Sequence, residues 1–332
     1  MRVLILSHRD VVAALPPRAC AEAMAAVLTA RARGETYHPL RTVMRPPGAA
    51  GLMGLMPSWR GAQRDGGAAA FALKAICIIP GNPARGLDAH QGTVTLFDGE
   101  TGVPTAILDA SAVTEIRTAA VTAVATGLLA RTDARTLAVL GAGVQGRAHL
   151  TSLAGVRDFE HVRVYAPTQA HAQALAGAAA VPGAQVSAVA TAEEAVRGAD
   201  VVVAATSSRE PVLAHAWLKP GAHVNAVGAS TPQAREIDTA TVAASALFCD
   251  SRESVRHEAG EFQLAVREGA ITGEEHIRAE LGEVLAGSAP GRTGDGELTL
   301  FRSLGIGVED LAAAEIAVAA AREQGLGTEV EL

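Results

Sequence analysis

Two styles of sequence in one chain predict an α/β fold, in which a doubly wound domain of the Rossmann type is joined to an α+β substrate-binding and dimerisation domain. The length of 332 residues suits roughly two domains. From residue 119 onward, short apolar runs alternate with helical stretches, as a parallel sheet covered on both faces requires. Before that point, strand-like runs are joined by links of hairpin length, as antiparallel pairing requires. Residues 1–118 are therefore expected to form the α+β domain, joined by the C-terminal helix 308–332, and residues 119–307 the doubly wound one.

Taken in order, the first helix is expected over residues 17–33, where P-R-A-C-A-E-A-M-A-A-V-L combines strong helix formers with helical recurrence of apolar residues. H-P-L-R-T-V-M-R-P-P then holds a short strand beginning at Arg41, and G-L-M-G-L-M-P-S-W gives another. F-A-L-K-A-I-C-I-I, residues 71–79, reads as a strand from its apolar and β-branched content. Strands at 93–97 and 103–108 flank D-G-E-T-G, a turn-rich link. From residue 111 to 130 the pattern becomes helical, and R-T-D-A-R breaks it.

The second style opens with T-L-A-V-L-G-A-G-V-Q-G-R-A-H-L, in which a buried strand at 137–140 runs straight into a glycine-rich turn and a helix. Further strands are expected at 162–165, 186–188, 201–204, 223–227 and 246–249. The segment E-L-T-L-F-R-S-L-G-I-G and an alanine-rich helix from 308 to 324 close the chain. No internal repeat or low-complexity linker interrupts it.

Composition narrows the partners. With 49% apolar and 19% charged residues, disordered and fibrous classes are excluded. The formal charge of -7 comes without any basic block, so there is no electrostatic footprint for nucleic acid or an anionic membrane; a small molecule is the better default. Cys20, Cys77 and Cys249 form no C-x-x-C pair and leave one over from any disulfide, which suits a reducing compartment. No metal site is expected. The opening M-R-V-L-I-L-S-H-R-D is too short for a signal peptide, and no later run is read as reaching the ~18 residues of a spanning helix, so a cytoplasmic location is expected.

A lone G-x-G-x-x-G is weak, but Gly141-x-Gly143-x-x-Gly146 follows a buried strand and opens a helix, the context of a dinucleotide fingerprint. Gly141 permits the tight turn, Gly143 lets backbone N–H groups approach a pyrophosphate, and Gly146 allows close helix packing. NAD usually finds an acid at the end of the second strand, to accept from the ribose 2′-OH. Here that strand ends V-R-V-Y-A-P-T-Q-A-H, without Asp or Glu. NADP(H) is thus favoured over NAD(H), with Thr168 and Arg147 as candidate groups for a 2′-phosphate; NAD held by backbone and water is the alternative. Thr206 and Ser207, in A-A-T-S-S-R, lie at a strand's carboxyl end, and the strand to Val227 ends in G-A-S-T-P, which places Gly228 and Ser230 near a nicotinamide in this topology. Either pair also reads as turn chemistry.

Only two of the 28 Lys and Arg residues are lysines, Lys74 and Lys219. Lys74 lies mid-strand, on the same face as Ile76 and Ile78 by period-two alternation. Such an ammonium costs stability unless it reaches water, a carboxylate or a ligand. Arg41 and Arg117 each read alone as ordinary surface arginines. Together near Lys74 they would bind a substrate carboxylate and depress the lysine's pKa, making it competent to exchange a proton near neutrality.

The runs L-K-A-I-C-I-I-P-G-N-P-A-R-G-L-D-A-H-Q-G-T-V-T-L-F-D-G-E-T-G, T-E-I-R-T-A-A, V-L-G-A-G-V-Q-G-R-A-H, V-G-A-S-T-P-Q-A-R-E-I-D and T-L-F-R-S-L-G-I-G-V-E-D resemble, in order and over nearly the whole chain, the ornithine cyclodeaminase/mu-crystallin family. K-x(5)-P-x-N and R-T-A-A are the specific elements. The resemblance implies a homodimer of two-domain subunits, in which a dimerisation domain's strands join those of its partner and the substrate lies between the domains. It implies that Arg41, Lys74 and Arg117 surround the carboxylate and reacting nitrogen, and that Thr118, Gly143, Val144, Gln145, Ser303, Leu304 and Gly305 line the dinucleotide. In the cyclodeaminases proper, an aspartate stands where this chain has Ser230, and a serine cannot act as a carboxylate base. The resemblance therefore implies reduction of a cyclic or N-substituted imino acid, of the 1-pyrroline-2-carboxylate or 1-piperideine-2-carboxylate type, to an L-amino acid. An open-chain L-amino acid dehydrogenase, an ornithine or lysine cyclodeaminase and a non-enzymatic, crystallin-like ligand binder are the alternatives. Side-chain specificity is assigned to loop residues such as Met56 and Trp59.

Overall fold

The computed structural model describes residues 1–62 and 67–331. It divides into two units, Met1–Arg117 with Gly305–Leu332, and Thr118–Leu304; Leu332 itself lies outside the described residues. The boundary falls inside the helix Ala110–Leu129.

The first unit carries a sheet whose strands run, in spatial order, Thr328–Glu331, Arg2–Leu6, Pro104–Asp109, His90–Asp98, Ala70–Ile78, Leu52–Arg60 and Thr36–Tyr37, with Thr42–Met44 also pairing to Leu52–Arg60. All pairs are antiparallel except Arg2–Leu6 with Pro104–Asp109. Three of these strands, Arg2–Leu6, Thr36–Tyr37 and Thr328–Glu331, have no counterpart in the sequence reading. Arg2–Leu6 is a run that reads only as a failed signal peptide, and Thr328–Glu331 is exposed at every position, so only its partner makes it a strand; the helix expected to run to residue 332 ends instead at Gln324, capped by Gly325 in the left-handed region. Alternation along Ala70–Ile78 buries Ala72, Lys74 and Ile76 on one face. Helix Gly307–Gln324 packs against Leu52–Arg60, Ala70–Ile78 and His90–Asp98, with helices His8–Ala14 and Pro17–Ala32 packed on it in turn. The helix is rich in alanine, and its small side chains let it lie close to the sheet. A Cβ added at Gly307 would sit 3.1 Å from Ser58 Cβ.

The second unit holds an all-parallel sheet in the order Gln185–Ala188, His161–Tyr165, Thr136–Leu140, Val201–Ala204, His223–Ala226, Thr299–Arg302, Ala246–Cys249, Ile277–Glu280. The central runs are buried on both faces, as V-V-V-A at Val201–Ala204 illustrates. Strand order reverses between Thr136–Leu140 and Val201–Ala204, the switch point at which such sheets open a crevice for ligands. The sequence reading misses Ile277–Glu280 and Thr299–Arg302. The first carries two charges and the second ends in Arg302, so neither looks like a buried strand until Arg302 finds Glu261 at 2.7 Å. Among the described residues, helix Ala110–Leu129 is long and apolar enough to cross a membrane, a length the sequence reading gives to no run, and 67% of its apolar window is buried within the protein.

Candidate active site

In the second unit, strand Thr136–Leu140 ends at Gly141, whose φ of +112° lies in the region open to glycine. A Cβ there would meet the Ala205 carbonyl oxygen at 2.3 Å, and one on Gly146 would meet the Gly141 oxygen at 2.0 Å. Gly143 is the N-cap of helix Val144–Leu153, with open space where a side chain would be. First-turn N–H groups of a helix have no intrahelical acceptor and favour an anion. Thr118 Oγ1, Gln145 Oε1 and Ser303 Oγ are buried without a hydrogen-bond partner among the described residues, as polar atoms reserved for a ligand would be. A dinucleotide fits this turn. Thr168 caps helix Gln169–Ala178 without making a side-chain cap bond, and Tyr165, Ala166, Pro167 and Thr168 bring no carboxylate to the strand end. Val144 is exposed, while Leu304 donates its N–H to Asp250 Oδ2 at 2.7 Å.

The turns after two further strands are tied together by a residue the sequence reading passes over. Glu236, fully buried, accepts from the backbone N–H groups of Thr206, Gly228 and Ala229. A Cβ at Gly228 would lie 2.7 Å from Glu236 Oε1, so glycine is required beside the clamp. Burial pushes the Glu236 carboxyl up to about 7, against the pull of the Thr206 hydrogen bonds and Arg302. The signal was present in R-E-I-D, but nothing local says which N–H groups that glutamate will meet. Val227 is buried, Ser207 exposed and Ser230 half-buried in the same two turns.

In the first unit the three cations converge. Lys74, 2% exposed, donates from Nζ to Asp310 Oδ1 at 2.8 Å and, at 3.4 Å, to Thr114 Oγ1. Arg117 donates from Nε to the same Asp310 oxygen at 2.9 Å and from Nη1 to Glu309 Oε2 at 2.9 Å. Arg41, one residue ahead of strand Thr42–Met44, donates from Nη2 to the Gly305 carbonyl oxygen at 3.0 Å. Gly305, assigned from the resemblance to the dinucleotide, thus meets the cations: a Cβ there would lie 2.3 Å from Arg117 Nη1. Met56 and Trp59 lie in strand Leu52–Arg60 and not in a loop: Met56 stands directly opposite Lys74 in the sheet register and is buried on the same face, whereas Trp59 alternates to the other face, opposite Phe71.

Lys74 is brought down to about 8, chiefly by burial; Asp310 opposes that shift, while Arg117 and Arg41 add to it. The arginines thus act as the sequence reading expects, though burial is the larger cause. Burial alone would raise the Asp310 carboxyl, but Lys74 and Arg117 outweigh it and hold it below its ordinary value. His90 lies on the same sheet face, opposite Ile78, and desolvation, then the charge of Lys74, lowers its pKa. Glu309 and Asp310 are the residues the sequence reading does not single out, although they end the run G-I-G-V-E-D.

A separate cavity of about 700 Å³, lined in part by His215, Lys219, His276 and Arg278, lies at the amino ends of strands in the second unit, away from the crevice. Lys219 pairs there with Asp200 and Arg278 with Glu297.

A model of the ornithine cyclodeaminase/mu-crystallin family matches residues 1–325. The chain is 35% identical over 266 residues to the Delta(1)-pyrroline-2-carboxylate reductase of Bacillus cereus, covering 80% of this chain and 82% of that protein. Its fold is similar to the structure of Thermococcus litoralis Delta(1)-pyrroline-2-carboxylate reductase in complex with NADH and L-proline, with a TM-score of 0.93, 35% identity and coverage of 99% and 100% of the two chains. It is also similar to an archaeal alanine dehydrogenase dimer with bound NAD, with a TM-score of 0.92, 30% identity and full coverage of both chains.

Proposed function

The chain belongs to the ornithine cyclodeaminase/mu-crystallin family, and from that premise we propose that it is an NAD(P)H-dependent reductase of a cyclic or N-substituted imino acid, of the 1-pyrroline-2-carboxylate or 1-piperideine-2-carboxylate type, forming an L-amino acid. The observation that carries this reading is Lys74, buried and brought down to about 8 beside Arg117; Ser230, where the family resemblance implies an aspartate in the cyclodeaminases, is consistent with it. When bound, the nicotinamide supplies a hydride to the C=N carbon. Arg41 and Arg117 hold the substrate carboxylate, and Met56 bounds the reacting end. The Lys74 ammonium gives one proton to the imine nitrogen, becomes a neutral amine, and recovers a proton from water. One hydride and one proton across the C=N bond account for the product.

The strand end without a carboxylate, followed by Thr168 with Arg147 in the preceding helix, supports NADP(H) over NAD(H). Thr118, Gly141, Gly143, Val144, Gln145, Gly146, Thr206, Ser207, Val227, Gly228, Ser303, Leu304 and Gly305 form the cofactor side of the proposal, and Ser230 stands on the substrate side. A second reading, reduction of an open-chain imino acid, is supported by the full-length likeness to the alanine dehydrogenase. Purified protein given NADPH, then NADH, with each cyclic imino acid should oxidise the cofactor and form proline or pipecolate. Turnover with pyruvate and ammonia instead would favour the open-chain reading. Ammonia release from L-ornithine with only a trace of NAD would overturn both.

A further inference from the structure

Three cations from three separate elements dock on one short stretch of chain. The Gly305 carbonyl takes Arg41, Glu309 takes Arg117, and Asp310 takes both Arg117 and Lys74. Glu309 and Asp310 lie in the first turn of helix Gly307–Gln324, where the helix dipole favours negative charge. Asp310 is 1% exposed. One of its oxygens receives both cations, while Oδ2 has no hydrogen-bond partner among the described residues. Sharing a single oxygen fixes the ammonium and the guanidinium close together in a defined geometry, which two separate carboxylates would not do.

We propose that Asp310 is a positioning residue for the reaction, setting the distance between the proton donor Lys74 and the carboxylate anchor Arg117 and keeping Lys74 charged between turnovers. The proposal rests on the reading of Lys74 as the proton donor. Its physical basis is that a lysine buried beside two arginines would otherwise lose its proton. The groups facing Lys74 are Asp310, Arg117, Arg41, His90 and the Thr114 hydroxyl, with Glu309 acting through Arg117. Among the described residues, Asp310 is the carboxylate in hydrogen-bond contact with its ammonium.

The scarcity of lysine makes the test direct. Protein grown on lysine labelled with 13C at Cε shows two lysine signals, from Lys74 and Lys219, and a Lys219→Arg variant assigns them. The Lys74 signal of the wild type should titrate near pH 8. In Asp310→Asn the midpoint should fall by about one pH unit or more, the alkaline limb of kcat/KM should move down with it, and kcat should drop about 100-fold. Asp310→Glu keeps the charge and displaces the carboxylate by one methylene; its midpoint should stay near the wild-type value while kcat falls about tenfold. An unmoved midpoint in Asp310→Asn, or wild-type kcat in Asp310→Glu, overturns the proposal; if the asparagine variant fails to fold, the glutamate variant decides. A wild type that reduces no imine counts against the proposed function, while the lysine midpoints still judge the grip of Asp310.

Discussion

Burial of Lys74 is tolerated because its ammonium meets a carboxylate at 2.8 Å, and buried charges persist when paired and hydrogen-bonded. Its removal separates chemistry from binding. Lys74→Ala should bind the dinucleotide as the wild type does, by fluorescence titration, yet lose about 100-fold or more in kcat; unchanged turnover would take Lys74 out of the mechanism. Glu236 makes a second prediction at this scale. Its folded pKa of about 7 stands above the ordinary carboxylate value of 4.5, so this group contributes stability that is present below about 4.5 and lost as pH rises through about 7. The melting temperature of the wild type minus that of Glu236→Gln should therefore decrease between pH 5 and pH 8, and a difference that rises or stays flat would refute the assignment.

At the scale of elements, the strand-turn-helix of Thr136–Leu140, Gly141 and Val144–Leu153 works by close approach. Gly146 lies against the Gly141 carbonyl so tightly that a methyl would sit 2.0 Å from the oxygen. Gly146→Ala must push the helix off its turn, and dinucleotide affinity should fall at least about tenfold, near 1.4 kcal/mol, by calorimetric titration. The cation cluster belongs to other elements, so the Lys74 titration should be unaffected. This unit was legible in sequence because turn, strand and helix are contiguous and each glycine has a local reason. Strand Ala70–Ile78 was legible too, since alternation alone puts Lys74 with Ile76. Met56 was not, because its place opposite Lys74 depends on the register of a neighbouring strand.

At the scale of the whole molecule, the face of the first unit's sheet turned away from Lys74 carries a row of Trp59, Phe71 and Phe97 across three adjacent strands, flanked by Leu55, Leu73 and Ile107. Phe71 is 45% exposed, and an exposed aromatic row of this kind suits an interface. A homodimer of the kind expected from the sequence would cover it. The wild type should sediment at twice 33.8 kDa, and Phe71→Glu with Leu73→Glu should shift it to the monomer; a double variant that stays dimeric would place the interface elsewhere. The sequence by itself determined the two-domain α/β class, the glycine turn and the oddity of a lysine inside an apolar strand, because each is written in neighbouring residues. Only the tertiary structure decided that Asp310, 236 positions away from Lys74, would hold it together with Arg117, and that Thr299–Arg302 would enter the sheet between His223–Ala226 and Ala246–Cys249. Contacts of that range are set by how the chain packs, and no local pattern encodes which distant carboxylate will reach a buried cation.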